Sequence, residues 1–194
     1  MKLNRRGFLI GSLLSPLIGA AVDAPEEPRS PLPPPGAGSA KHLLTHCTGC
    51  NLCIARCPSN VLRAAGLEYG AAGVLMPRMD FSRGFCRPDC NVCGRACPAG
   101  AIRPFSPAEK KSMRQAVAVY SRTTCLVSTE NLACGNCAQH CPYKAVVLEK
   151  DSDGRSYPKV SAGLCVGCGA CEYHCPTKAI VVVNRDAKVE GDLS

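Results

Sequence analysis

Tryptophan is absent from this chain of 194 residues, and aromatic residues make up only 5% of it. A chain of this length ordinarily builds one domain around large apolar side chains, so something other than rings must fill the interior. No apolar run reaches the ~20 residues that a membrane-spanning helix needs. There is no glycine-rich phosphate loop and no nucleophile–base pair, and the carboxylates are scattered. These absences argue against nucleotide-dependent or hydrolytic catalysis and leave no small-molecule substrate in view. The formal charge is +8, yet no basic stripe with interleaved aromatics accompanies it, so nucleic acid is not the expected partner.

What the chain has in excess is cysteine, with 16 residues. Cys165, Cys168 and Cys171 stand at two-residue spacing, and Cys175-Pro176 follows three residues later. That run is the one bacterial two-cluster ferredoxins use to hold iron–sulfur cubes, with the fourth cysteine ligating the other cluster. Gly167 and Gly169 suit a tight loop that wraps three thiolates around one face of a cube. The same phrase recurs as Cys47, Cys50, Cys53 and Cys57-Pro58, and with one extra residue in the first gap as Cys86, Cys90, Cys93 and Cys97-Pro98. A looser copy runs from an isolated Cys125 to Cys134, Cys137 and Cys141-Pro142. Every cysteine is thereby assigned, and the expected cofactors are four [4Fe-4S] clusters.

Zinc and disulfides are the competing readings. Structural zinc uses paired knuckles a dozen or more residues apart and gives no reason for a third cysteine at the same spacing or for the recurrent proline. Cysteines two apart are poorly placed to bridge one another. A structural zinc protein stays open as the alternative that metal analysis separates.

Lys2, Arg5 and Arg6 precede a short apolar run from Phe8 to Ile18, which reads as a twin-arginine export signal over residues 1–21. An uncleaved tether is the alternative. Twin-arginine export carries folded proteins, so clusters could be inserted before the thiols meet the oxidising periplasm. Residues 22–40, with Pro25, Pro28, Pro31 and Pro33 to Pro35, are expected to form a disordered spacer. Oxidised cubes carry about −2 each with their thiolates, which offsets the surplus of Lys and Arg, and the apo chain should fold poorly.

The fold class expected is a small, irregular α+β protein with two tandem two-cluster ferredoxin-like modules, residues 41–105 and 116–185, and a tail from 186 to 194. In the second module, Ala116 to Tyr120 and Ala179 to Val183 read as strands flanking the two motifs. Between the motifs, Lys144 to Glu149 and Ser156 to Val160 read as a hairpin around Asp151-Ser-Asp-Gly154. In the first module, Val74 to Met79 and Ala101-Ile102 echo this layout and suggest an internal duplication. Ser106-Pro-Ala-Glu109 is a capping box that opens a connecting helix over residues 106–115. Local pairing then groups Cys47, Cys50 and Cys53 with Cys97, and Cys86, Cys90 and Cys93 with Cys57. It likewise groups Cys125, Cys134 and Cys137 with Cys175, and Cys165, Cys168 and Cys171 with Cys141. The rival scheme nests first with fourth and second with third motifs. His140 and His174, each before a fourth cysteine, are read as packing near sulfur rather than as ligands. Lys41, Arg56, Arg63 and Arg95 are read as offsetting cluster charge or facing solvent.

The twin-arginine start, the four motifs, the isolated Cys125 before CGNCAQHCP, and the ending P-K-V…CVGCGACEYHCP resemble the exported polyferredoxins of the NapG/MauM family. That resemblance implies an electron-transfer protein rather than an enzyme. It also implies a periplasmic location and, as partners, a membrane ferredoxin-type quinol dehydrogenase and a periplasmic reductase. A four-cluster subunit of a molybdopterin oxidoreductase is the alternative of the same redox kind.

Overall fold

A computed structural model describes residues 30–185; the expected signal, residues 22–29 of the spacer and the C-terminal tail lie outside the described residues. The architecture is small, irregular α+β. Among the described residues the helices are α1 (Ala40–His46), α2 (Leu52–Ala55), α3 (Val92–Ala96), α4 (Pro107–Lys110), α5 (Leu126–Thr129), α6 (Asn136–Gln139) and α7 (Ala170–His174). The strands are β1 (Leu62–Ala64), β2 (Pro77–Met79), β3 (Ala116–Tyr120), β4 (Val146–Lys150), β5 (Ser156–Val160) and β6 (Ile180–Asn184). None of these helices is long and apolar enough to cross a membrane.

The strands form three antiparallel pairs, β1 with β2, β4 with β5, and β3 with β6. The β4–β5 hairpin turns at Asp151 to Gly154, where Gly154 N–H donates to the Asp151 carbonyl at 2.9 Å. β3 and β6, separated by both motifs of the C-terminal half, pair from Ala116↔Asn184 to Tyr120↔Ile180. The strand–motif–hairpin–motif–strand order is thus closed by its own ends.

Each motif finishes with the same backbone device. The third residue after the fourth cysteine, Asn60, Gly100, Lys144 or Lys178, has positive φ, between 52° and 68°. The next two residues, Val61-Leu62, Ala101-Ile102, Ala145-Val146 and Ala179-Ile180, are all buried. The turn after Cys-Pro therefore directs an apolar pair into the interior four times, which supplies the small aliphatic core that the missing aromatics leave open.

The proline-rich stretch differs from its expected disorder. Leu32, Pro33, Pro34, Gly36 and Ala37 are buried, Met79 N–H donates to Leu32 O at 2.8 Å, and Arg103 N–H donates to Gly36 O at 3.1 Å. Proline has no N–H to leave unsatisfied, so this stretch can cover the N-terminal half with few hydrogen-bond demands. It meets Arg103, which stands six residues after Cys97 as Val181 of β6 stands six residues after Cys175, where β6 pairs with β3.

The connecting helix is also shorter than expected, ending at Lys110 rather than running to about residue 115. Its capping box is present: Ser106 Oγ accepts from Glu109 N–H at 3.1 Å, and Glu109 Oε2 accepts from Ser106 N–H at 2.7 Å. Removing the cap with Ser106→Ala is expected to cost about 1 kcal/mol, measured by denaturant midpoint with the slope unchanged. Both halves contribute to one apolar core, from Leu32 and Leu43 through Phe81 and Phe105 to Val117 and Ile180.

Candidate iron–sulfur sites

The third cysteine of each motif lies inside a short helix: Cys53 in α2, Cys93 in α3, Cys137 in α6 and Cys171 in α7. This places it one turn before the fourth cysteine, whose chain then leaves toward the neighbouring motif. The sixteen sulfurs sort into four quartets, lettered here by spatial adjacency. Quartet A is Cys47, Cys50, Cys53 and Cys97: Cys53 is influenced by the other three, and all four line one small cavity with Asn51, Pro77 and Ile102. Quartet B is Cys57, Cys86, Cys90 and Cys93, since Cys86 senses Cys90 and Cys57, and Cys93 senses Cys86 and Cys90. Quartet C is Cys141, Cys165, Cys168 and Cys171, which influence one another. Quartet D is Cys125, Cys134, Cys137 and Cys175. There Cys137 senses Cys134 and Cys175, and Cys125 packs with Cys134 and Cys175 around Ala179 and Tyr157.

The grouping is local within each half, and Cys175 lies with Cys134 and Cys137 rather than with Cys47, Cys50 and Cys53. The spatial order is A–B–C–D, so the last motif supplies the inner quartet and the third motif the outer one. B and C meet where Cys86 N–H donates to Cys168 O at 2.8 Å. Tyr143 packs at this junction, with Cys168, Cys86 and Cys141 around it. Between C and D, the rings of His140 and His174 stack at 3.7 Å with 10° between their planes. His174 is held below the usual imidazole range by burial and then by the facing His140.

Burial is the leading influence on six of the thiols. It pushes Cys53 and Cys137 up to about 11, and Cys93 and Cys168 up to about 12; Cys86 and Cys171 are raised by the same cause. Cys175 moves the other way. Burial acts upward there too, but donors from Ile180 N–H, the Thr177 hydroxyl and the Ala179 and Thr177 N–H groups bring it below the usual thiol value. Raised thiols hold their protons at neutral pH, so any metal group that binds must displace them, and retention must weaken as pH falls.

The surroundings fit [4Fe-4S] groups better than single ions. Among the described residues, no three His, Cys, Asp or Glu side chains converge closely enough to hold one metal ion, whereas tetrahedral zinc would draw its sulfurs to about 4 Å from one another. Backbone donors already point at sulfur: Gly49 to Cys47, Ile102 to Cys97 and Ala118 to Cys165, each at 3.4 Å, and Ala145 to Cys141 at 3.2 Å. Such N–H groups stabilise thiolate charge, the condition a cluster ligand meets. Buried polar atoms without a protein partner, Asn51 Oδ1 and Tyr143 OH, sit beside quartet A and at the B–C junction.

Comparison with known proteins points to the same class of cofactor. Residues 85–145 and 132–179 match the family model described as a 4Fe-4S dicluster domain. The ferredoxin-type protein NapF of Escherichia coli (strain K12) is 33% identical over 134 residues, covering 69% of this chain and 73% of NapF. The chain belongs to the ferredoxin-type iron–sulfur proteins. The methylamine utilization ferredoxin-type protein MauM of Methylophilus methylotrophus is 33% identical over 161 residues, 78% of this chain and 70% of MauM. The ferredoxin-type protein NapG of Escherichia coli (strain K12) is 31% identical over 147 residues, 70% of this chain and 62% of NapG. This ferredoxin-type protein is accordingly an iron–sulfur electron-transfer protein.

Some neighbours of the sulfurs were not visible in the sequence. Arg56, Arg95 and Lys41 are exposed and Arg63 half-buried, but Lys110, at 2% exposure, is the buried cation. A lysine closing an amphipathic turn carries no mark of burial. Tyr143 had a weak signal: it directly follows Cys141-Pro142, the position held by small or polar Ser59, Ala99 and Thr177 in the other motifs.

Proposed function

We propose that this protein is an exported polyferredoxin that passes single electrons through four [4Fe-4S] clusters, one per quartet, between a membrane quinol-linked donor and a periplasmic reductase. When bound, the clusters supply reversible one-electron chemistry. The sixteen cysteines hold them in two tandem two-cluster modules, the backbone N–H groups above share thiolate charge, and Tyr143 and the Cys86–Cys168 bond keep the inner quartets together.

The observation that carries this reading is the unbroken order A–B–C–D, whose two outer quartets reach the surface. Cys50 of quartet A is exposed. Quartet D opens through Cys134 into a groove with Leu132 and Leu148, which are 50% and 41% exposed. A relay needs two such ends, one for each partner, and a protein that stored or sensed redox state would need only one.

Anaerobic purification followed by iron and acid-labile sulfide counts tests the cofactor content, with about sixteen of each expected. Reduction by a quinol through a ferredoxin-type membrane dehydrogenase, and reoxidation by a periplasmic reductase, tests the relay. A colourless zinc protein would overturn the redox reading, and stable co-purification with a large molybdopterin chain would move the protein to the alternative role of a dedicated subunit. Replacing Arg5 and Arg6 by lysine is expected to leave holoprotein in the cytoplasm. Normal periplasmic amounts of that variant would remove the export part of the proposal.

A further inference from the structure

Lys110 is almost completely buried, at 2% exposure. Its Nζ donates to Arg87 O and, at 2.8 Å, to Cys90 O, both in the loop that presents quartet B. It also acts on Cys86 through its charge and as a side-chain donor, and on Cys93 through its charge. No carboxylate among the described residues forms an ion pair with it. Asp89, within its electrostatic reach, is exposed and bound to Arg87 at 3.1 Å.

An ammonium removed from water costs several kcal/mol unless an opposite charge faces it. Carbonyl oxygens satisfy its N–H groups but return only dipoles. The charge that answers Lys110 must therefore come from the thiolates of quartet B and the anionic group they hold. The other quartets are not built this way. At Cys53, Cys137, Cys168 and Cys171 the largest influences are burial, backbone N–H groups and other cysteines. Arg185 donates to Cys165 O at 3.1 Å beside quartet C, but it is exposed, so water and salt screen it.

We propose that Lys110 is a positioning residue for the electron rather than for a substrate: its buried charge gives the cluster of quartet B the highest midpoint of the four, so that a single electron rests there, inside the chain. Reduction adds one negative charge to a cluster, and a fixed cation in a low-dielectric setting favours the more negative state. The other quartets then act as steps to and from this resting place. The inference rests on the four-cluster ligation proposed above.

The test is a redox titration followed by EPR on anaerobically purified holoprotein, comparing wild type with Lys110→Gln, Lys110→Met and Lys110→Arg. In Lys110→Gln, which keeps a donor and loses the charge, the first cluster to be reduced in wild type should lose at least tenfold in its one-electron equilibrium constant, a negative shift of ~59 mV or more. The later midpoints should hold, and Lys110→Arg should stay within about threefold of wild type. The proposal is overturned if no midpoint moves by that much, if the one that moves is not the first to be reduced, or if Lys110→Arg shifts it as far as Lys110→Gln. It is also overturned if neither neutral variant keeps its full iron and sulfide, which would make Lys110 a structural residue. A wild-type protein lacking the full complement of iron and sulfide would instead reject the four-cluster reading itself.

Discussion

Changing Cys141 to serine is expected to remove the cluster held by Cys165, Cys168 and Cys171, and to leave the one held by its sequence neighbours Cys134 and Cys137. The reason is geometric: Cys141 closes α6 and its turn, yet its sulfur is among those that influence Cys168 and Cys171. About a quarter of the iron and sulfide should be lost. Non-additivity provides the decisive check, because ligands of one cluster fail as a unit while ligands of separate clusters fail independently. Cys141→Ser combined with Cys171→Ser should lose little more than either alone, and Cys141→Ser combined with Cys137→Ser should lose about half of the total. The reverse pattern in the two double variants would mean that each motif keeps its own fourth cysteine. Quartet C is an inner member of the order A–B–C–D, so the Cys141→Ser protein should also stop passing electrons from one end to the other while its remaining clusters stay reducible.

The local part of this architecture was readable because spacing and backbone chemistry are properties of neighbours in the chain. The strands read at Ala116 to Tyr120 and Ala179 to Val183, the latter one residue before the observed Ile180 to Asn184, and the hairpin around Asp151 to Gly154 announce themselves by β-branched runs and a turn tetrapeptide. The grouping of the fourth cysteines follows from the same short-range logic. What stayed hidden depends on partners far away in sequence. Leu32 and Ala37 sit in a proline-rich stretch without periodicity, and only the surface offered by Met79 and Arg103 makes burial favourable there. Lys110 ends a capped turn as surface lysines do, and nothing local distinguishes it until the carbonyls of Arg87 and Cys90 close over it. The close approach of the halves at Phe81 was equally invisible, since it depends on an absence: the missing side chain of Gly169.

Gly169→Ala should therefore be a strongly damaging methyl addition at the B–C junction. A Cβ at this position would run into Cδ1 of the Phe81 ring, and its φ is +80°, a conformation that L side chains rarely adopt. Phe81 is 5% exposed and belongs to the shared core, so its ring has little room to retreat. Left-handed backbone costs an alanine about 1–2 kcal/mol, and overpacking a tight core adds about 1–3 kcal/mol, for a total near 3 kcal/mol. Gly154→Ala isolates the backbone part, because φ there is +75° and nothing lies within 4 Å of the added Cβ. The holoprotein carrying Gly154→Ala should lose only about 1 kcal/mol, measured by denaturant midpoint, and keep its electron transfer. Gly169→Ala should lose two to three times as much and weaken the EPR spin coupling between the clusters of quartets B and C, since Phe81 lies five residues before Cys86 and Gly169 directly follows Cys168. If the two variants were equally stable and equally coupled, the close approach of Gly169 to Phe81 would not be what joins the halves, and Tyr143, the shared apolar core and the Cys86–Cys168 hydrogen bond would hold them instead.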